Sequence, residues 1–118
     1  MKLLIVDDSM MMRKMVEKSL AEKKFDLVGS AGDGEEGLRI FKETLPDIVT
    51  LDVTMPKMDG LTTLVEMLKV KSDAKILMIT SLSDNATIQE AMSKGASGII
   101  PKPFTPEQVI QKVNEVLG

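Results

Sequence analysis

Three aspartates, one threonine and one lysine are the residues whose types and spacing could do chemistry together in this chain. Asp52 closes the run Asp47-Ile48-Val49-Thr50-Leu51, and the pair Asp7-Asp8 closes Leu3-Leu4-Ile5-Val6. Both runs are short and largely apolar, the pattern of strands buried on both faces of a parallel sheet. Each acid would then stand at the C-terminal end of a strand. Thr80 ends Lys75-Ile76-Leu77-Met78-Ile79 in the same way, and Lys102 follows Gly98-Ile99-Ile100-Pro101. Taken singly, each has an ordinary explanation: an aspartate after a strand is commonly a turn or cap residue, a threonine there bonds to backbone, and a lysine is usually solvated. Together, a phosphate-accepting carboxylate, further acids, a hydroxyl donor and a cation are the parts that phosphoryl transfer requires.

For these groups to meet, the elements carrying them must be parallel neighbours. The chain alternates strand and helix five times with short loops. Strands are expected at 3–6, 25–30, 47–52, 75–80 and 98–101, the second being the least apolar and nearest an edge. Between them, apolar residues recur at helical spacing: Met12, Met15, Val16 and Leu20; Leu38, Phe41 and Leu45; Leu61, Leu64, Val65 and Leu68; Ile88, Ala91 and Met92; and Val109, Val113 and Val116. Asp33 with Glu36, and Thr105-Pro106 with Gln108, are N-terminal capping signals, while Lys94-Gly95 suits a helix C-terminus. Such a (βα)5 alternation predicts an α/β fold, a doubly wound, flavodoxin-like parallel sheet in the order 2-1-3-4-5. Strands 1 and 3 are then adjacent at the topological switch point, which brings Asp7, Asp8 and Asp52 into one crevice.

Three carboxylates in one crevice repel. Two unit charges about 4 Å apart cost roughly 4 kcal/mol at an effective dielectric near 20, so the cluster needs a neutralising partner. Oxygen-only ligands in a hydrated site suit a hard cation, Mg²⁺ in particular.

Composition narrows the alternatives. With neither cysteine nor histidine among the 118 residues, disulfides, thiolate metal sites and imidazole chemistry are excluded. The net charge of -3, a pI near 5.0 and the lack of a basic stripe argue against nucleic acid and anionic membranes as partners. Apolar runs are too short to span a bilayer, and a strand begins after a single lysine, so neither signal peptide nor anchor is expected. The expectation is one cytoplasmic domain over 1–118, with no linker, repeat or low-complexity segment. The ten methionines, Met10-Met11-Met12 included, are expected to fill the core.

The motifs Leu4-Ile5-Val6-Asp7-Asp8-Ser9, Asp47 through Met55-Pro56-Lys57-Met58-Asp59-Gly60, Ile79-Thr80-Ser81 and Lys102-Pro103-Phe104 resemble, in order, those of the receiver domain of two-component response regulators. As a bare receiver the chain is most similar to the CheY-type chemotaxis proteins. The resemblance implies a single-domain response regulator, not an enzyme beyond its own phosphorylation and dephosphorylation, and a monomer when unphosphorylated. It implies that Asp52 is the phosphoacceptor, fed by the phosphohistidine of a sensor histidine kinase. Asp8, Asp52 and the backbone carbonyl of Thr54 would bind Mg²⁺ directly, with Asp7 holding a metal-bound water. Thr80 and Lys102 would contact the phosphoryl oxygens, and the Lys102-Pro103 bond would be cis.

The output face would be helix 4, strand 5 and helix 5, offered to a partner such as a flagellar motor switch component. Much of the family carries an aromatic ring at the position of Ile99, which puts aromatic coupling in question here. Ser83-Asp84-Asn85 offers competing caps that would make the start of helix 4 adjustable. Thr54 and Leu82 would flank the phosphoryl group without acid or base chemistry to speed its hydrolysis.

Other classes fit less well. A haloacid-dehalogenase-type phosphohydrolase needs an aspartate two residues after its nucleophile, where Thr54 stands. A flavodoxin-like cofactor binder needs a phosphate loop after strand 1 and a ring to sandwich flavin, and the chain has no tryptophan or tyrosine. A pseudo-receiver would be expected to have lost part of the site. Within the family, the alternatives are a phosphorelay intermediate passing phosphate to a histidine phosphotransfer protein, and the receiver part of a longer regulator.

Overall fold

In a computed structural model, which describes residues 1–80 and 85–118, five parallel strands form one sheet in the order 2-1-3-4-5. They are β1 (Lys2–Val6), β2 (Asp26–Ala31), β3 (Ile48–Asp52), β4 (Lys75–Thr80) and β5 (Gly98–Pro101). Five helices alternate with them: α1 (Met10–Ser19), α2 (Gly34–Thr44), α3 (Gly60–Val70), α4 (Asn85–Ser93) and α5 (Pro106–Leu117). The predicted architecture and strand order both hold. β2 starts one residue later than expected, leaving Phe25 partly buried against the core that holds Val16, Leu20 and Val109.

β3 is central and buried at every residue, so its side chains feed two separate cores. On one face Val49 and Leu51 join Leu4, Val6, Phe41, Leu64 and Met67 under α2 and α3. On the other, Ile48 joins Leu3, Ile5, Val16, Leu20, Val109 and Val113 under α1 and α5. The alternation follows from the period of two along a strand. Burying both faces is what demanded the near-continuous apolar runs.

Caps set the helix starts as the sequence suggests. Asp33 accepts from the Glu36 N–H at 2.8 Å, and Thr105 and Gln108 form a full capping box. Gly95 takes φ of 107° after α4, the left-handed region a helix end favours for glycine. The cap residues Ser83 and Asp84 lie outside the described residues, as does Leu82.

Some apolar residues stand where helical spacing did not predict. Met10 and Met11 are 60% and 72% exposed, because they occupy the first two positions of α1, a turn short of where the helix settles on the sheet. Met15 and Met92 are also exposed. Leu45 does not continue the α2 stripe; it is the C-cap, at φ 49°, and turns outward.

Candidate functional site

The strand register determines which residues meet. Val6 lies opposite Leu51 on the β1–β3 side, so Asp7, one residue on, is level with Asp52. On the other side Asp52 lies opposite Ile79, and Thr80 lies opposite Pro101. The C-terminal ends of β1, β3, β4 and β5 therefore form one edge. Gly60 closes its floor: α3 begins so near that a Cβ there would sit 2.1 Å from the Asp52 carbonyl oxygen. Only a glycine lets the chain return that tightly, and its N–H donates to the Val53 carbonyl at 2.8 Å.

Carboxylate oxygens of Asp7, Asp8 and Asp52 all lie within 4.8 Å of one another. Asp7 and Asp52 are 2% and 4% exposed, whereas Asp8 faces solvent. The Lys102 ammonium enters between the buried pair, 3.3 Å from Asp7 Oδ2 and 3.4 Å from Asp52 Oδ1. The Lys102-Pro103 peptide is cis, as expected. Thr80 is buried at the end of β4, and its carbonyl accepts from the Lys102 backbone N–H at 2.7 Å. Thr54 contributes its backbone N–H to the Asp52 carboxylate, which favours the charged form, while its side chain is exposed. Ile99 is half-buried against the core under α2 and α3. All the predicted site residues thus reach one edge, Thr54 through its backbone.

Electrostatically the site is overloaded with negative charge. Burial of Asp52, and then the Asp7 charge beside it, raise its carboxyl from an ordinary 3.8 to about 6. Lys102 and the Thr54 N–H pull the other way without overcoming them. Asp7 Oδ2 is buried with no hydrogen bond among the described residues; the lysine is near enough for an ion pair, yet is not aimed along a hydrogen-bonding direction. A buried acceptor left over among three acids is the donor set of a hard divalent cation, so Asp7, Asp8 and Asp52 fit a group that could hold Mg²⁺.

A sequence profile of the response regulator receiver domain matches residues 3–114. The chain belongs to the response regulator receiver domain family. Among relatives of this receiver, the chemotaxis protein CheY of Thermotoga maritima is 37% identical, over 98% of this chain and 96% of its own length. CheY of Bacillus subtilis is 36% identical, over 99% and 98%. Among solved structures, a chain of the CheX–CheY–BeF₃–Mg²⁺ complex from Borrelia burgdorferi superposes with a TM-score of 0.95 at 36% identity. The match covers 99% of this receiver and 89% of that chain. The site therefore belongs to a CheY-like receiver. No helix among its described residues is long and apolar enough to cross a membrane.

One contributor went unread in the sequence. Arg13, on α1, donates from Nη1 to the Asp7 carbonyl at 2.6 Å. The available signal was a basic residue one turn past the Ser9 cap, on the side of α1 that faces back toward β1.

Proposed function

We propose that this receiver is a cytoplasmic phosphorylation switch in which Asp52 accepts a phosphoryl group from the phosphohistidine of a sensor histidine kinase. The observation that carries the reading is a nearly inaccessible carboxylate held 3.4 Å from a lysine at an edge it shares with two further acids. With its carboxyl at about 6, Asp52 is mostly ionised at neutral pH and able to attack. An Asp52 oxygen approaches phosphorus in line, the P–O bond forms as the P–N bond breaks, and the imidazole leaves with the electron pair and takes up a proton.

Asp8, Asp52 and the Thr54 carbonyl, with Asp7 beside them, would hold Mg²⁺, which when bound supplies charge neutralisation for the phosphoryl oxygens. Lys102 offers a second positive charge to those oxygens, and the Thr80 hydroxyl a donor. Phosphorylation adds charge and acceptor oxygens next to Thr80, drawing its hydroxyl inward. Because Lys102 N–H is bonded to the Thr80 carbonyl, β4 and β5 respond together. The change passes to the face formed by α4, β5 and α5. Ile99 has no ring to swing, so the movement is carried by α4. The partner on that face is an output protein such as a flagellar motor switch component, and chemotaxis is supported by the CheY relatives.

Incubation with acetyl phosphate, with Mg²⁺ or with EDTA, followed by intact mass, tests this reading. The expected product is one alkali-labile phosphoryl adduct that requires Mg²⁺, maps to Asp52 and is lost in Asp52→Asn. An adduct elsewhere, or no adduct with Mg²⁺ present, refutes it.

A further inference from the structure

Asp8 is the one acid of the cluster whose side chain is exposed, and it makes no hydrogen bond or ion pair among the described residues. Its aim is therefore set through the backbone, and the peptide that precedes it is clamped. The carbonyl of that peptide, on Asp7, accepts from Arg13 Nη1 at 2.6 Å. A peptide is planar and trans, so holding its carbonyl also fixes the direction of the Asp8 N–H and the position of the Asp8 Cα from which its side chain leaves. A bond from a charged donor is roughly twice as strong as a neutral one.

The clamp is anchored on three sides. Arg13 is the fourth residue of α1, and its own N–H donates to the Ser9 carbonyl at 3.0 Å. Its Nη1 would lie 3.5 Å from a Cβ built on Gly32, so the guanidinium sits against the start of the β2–α2 connection. Just before that glycine, the Ala31 carbonyl accepts from the Asp7 N–H at 3.0 Å. The Ser9 N–H meets Asp7 Oδ1 at 2.9 Å. Arg13 forms no ion pair with a carboxylate among the described residues, so its cation serves a backbone oxygen and none of the reacting groups.

We propose that Arg13 is a positioning residue for the metal-binding acids: it sets Mg²⁺ affinity by holding the Asp7–Asp8 peptide, not by its charge. The inference rests on the receiver reading of the site. The two ways an arginine could act here have opposite signs. As a charge near a cation site Arg13 repels Mg²⁺, and its removal would tighten binding by about fivefold or less at solvent-like dielectric. As a clamp it orders the ligands, and its removal loosens binding by about tenfold or more, as for other groups that orient metal ligands.

The test is Mg²⁺ titration by calorimetry of the wild type, Arg13→Ala, Arg13→Lys and, as a control, Lys14→Ala, an exposed cation on the same helix. The expected result is about tenfold weaker Mg²⁺ binding for Arg13→Ala and several-fold weaker for Arg13→Lys, which keeps the charge and loses the planar fork. Lys14→Ala should bind within about twofold of wild type, because it removes only a charge. Phosphorylation of Arg13→Ala by acetyl phosphate should return to the wild-type rate at saturating Mg²⁺, which a damaged fold would not do. Arg13→Ala binding Mg²⁺ as tightly as wild type or tighter overturns the inference. If that variant does not fold by circular dichroism, Arg13→Lys decides, and wild-type affinity in it overturns the inference equally. A wild type that binds no Mg²⁺ would sink the receiver reading itself, a separate outcome.

Discussion

Asp52 carries a charge that the fold holds at a cost, and replacing it by asparagine should make the metal-free protein more stable. Its carboxyl lies at about 6 in the native state against 3.8 for an unperturbed group. At 1.36 kcal/mol per pH unit, that difference is about 3 kcal/mol of penalty for the ionised form. Between those two values the native state binds the proton more tightly than the unfolded state does. Stability from this group is therefore greatest below about pH 3.8, is lost as pH rises through about 6, and the full penalty is present above about pH 7.

Asparagine is nearly isosteric with aspartate and has no charge, so in EDTA at pH 7.5 the Asp52→Asn variant should gain about 2–3 kcal/mol, and at pH 4 the gain should shrink to about 0.5 kcal/mol. At this chain length the gain corresponds to about 10 °C in midpoint. Urea unfolding must be followed by far-ultraviolet circular dichroism, because the chain lacks tryptophan and tyrosine. Adding Mg²⁺ should stabilise the wild type by mass action far more than the variant. An Asp52→Asn protein no more stable than wild type at pH 7.5, or one whose advantage persists unchanged to pH 4, refutes the electrostatic argument.

Lys102→Ala removes the ammonium ion-paired with Asp7 and Asp52. It should raise the Asp52 carboxyl further, moving its NMR titration profile in EDTA to the alkaline side. The phosphorylated variant should no longer gain affinity for the output partner; an unmoved profile would contradict the pairing. Thr50→Val replaces a fully buried hydroxyl that has no hydrogen-bond partner among the described residues, and should stabilise by about 1 kcal/mol in urea unfolding. A loss of stability there would reveal a partner for the hydroxyl. Gly60→Ala drives a methyl to 2.1 Å from the Asp52 carbonyl oxygen and should cost about 3 kcal/mol, read by the same unfolding measurement.

Much of the site was legible because its residues follow strand ends. A strand that must be buried on both faces reveals itself by composition, and the residue after it is then placed without any tertiary information. Asp7, Asp52, Thr80 and Lys102 were located in that way, and the 2-1-3-4-5 order put them on one edge. The helix faces were less legible. Spacing alone assigned Met15 and Leu45 to the core, but Met15 sits at the margin of the α1 stripe and stays 38% exposed, and Leu45 became a left-handed cap where α2 ends. Nothing local marks Met10 and Met11 as exposed, since methionine serves core and surface with similar ease.

The sequence by itself determined the order of elements, the caps of α2 and α5, and the strand ends at which the acids, hydroxyl and lysine stand. These rest on periodicity and on chemistry between residues a few positions apart. The tertiary structure alone decided that Lys102 lies between Asp7 and Asp52, that Asp52 is held near pH 6, and that Arg13 reaches the Asp7 carbonyl. Those depend on distances of a few ångströms and on exclusion of water. Both are set by how β1, β3, β5 and α1 pack, which no spacing along the chain encodes.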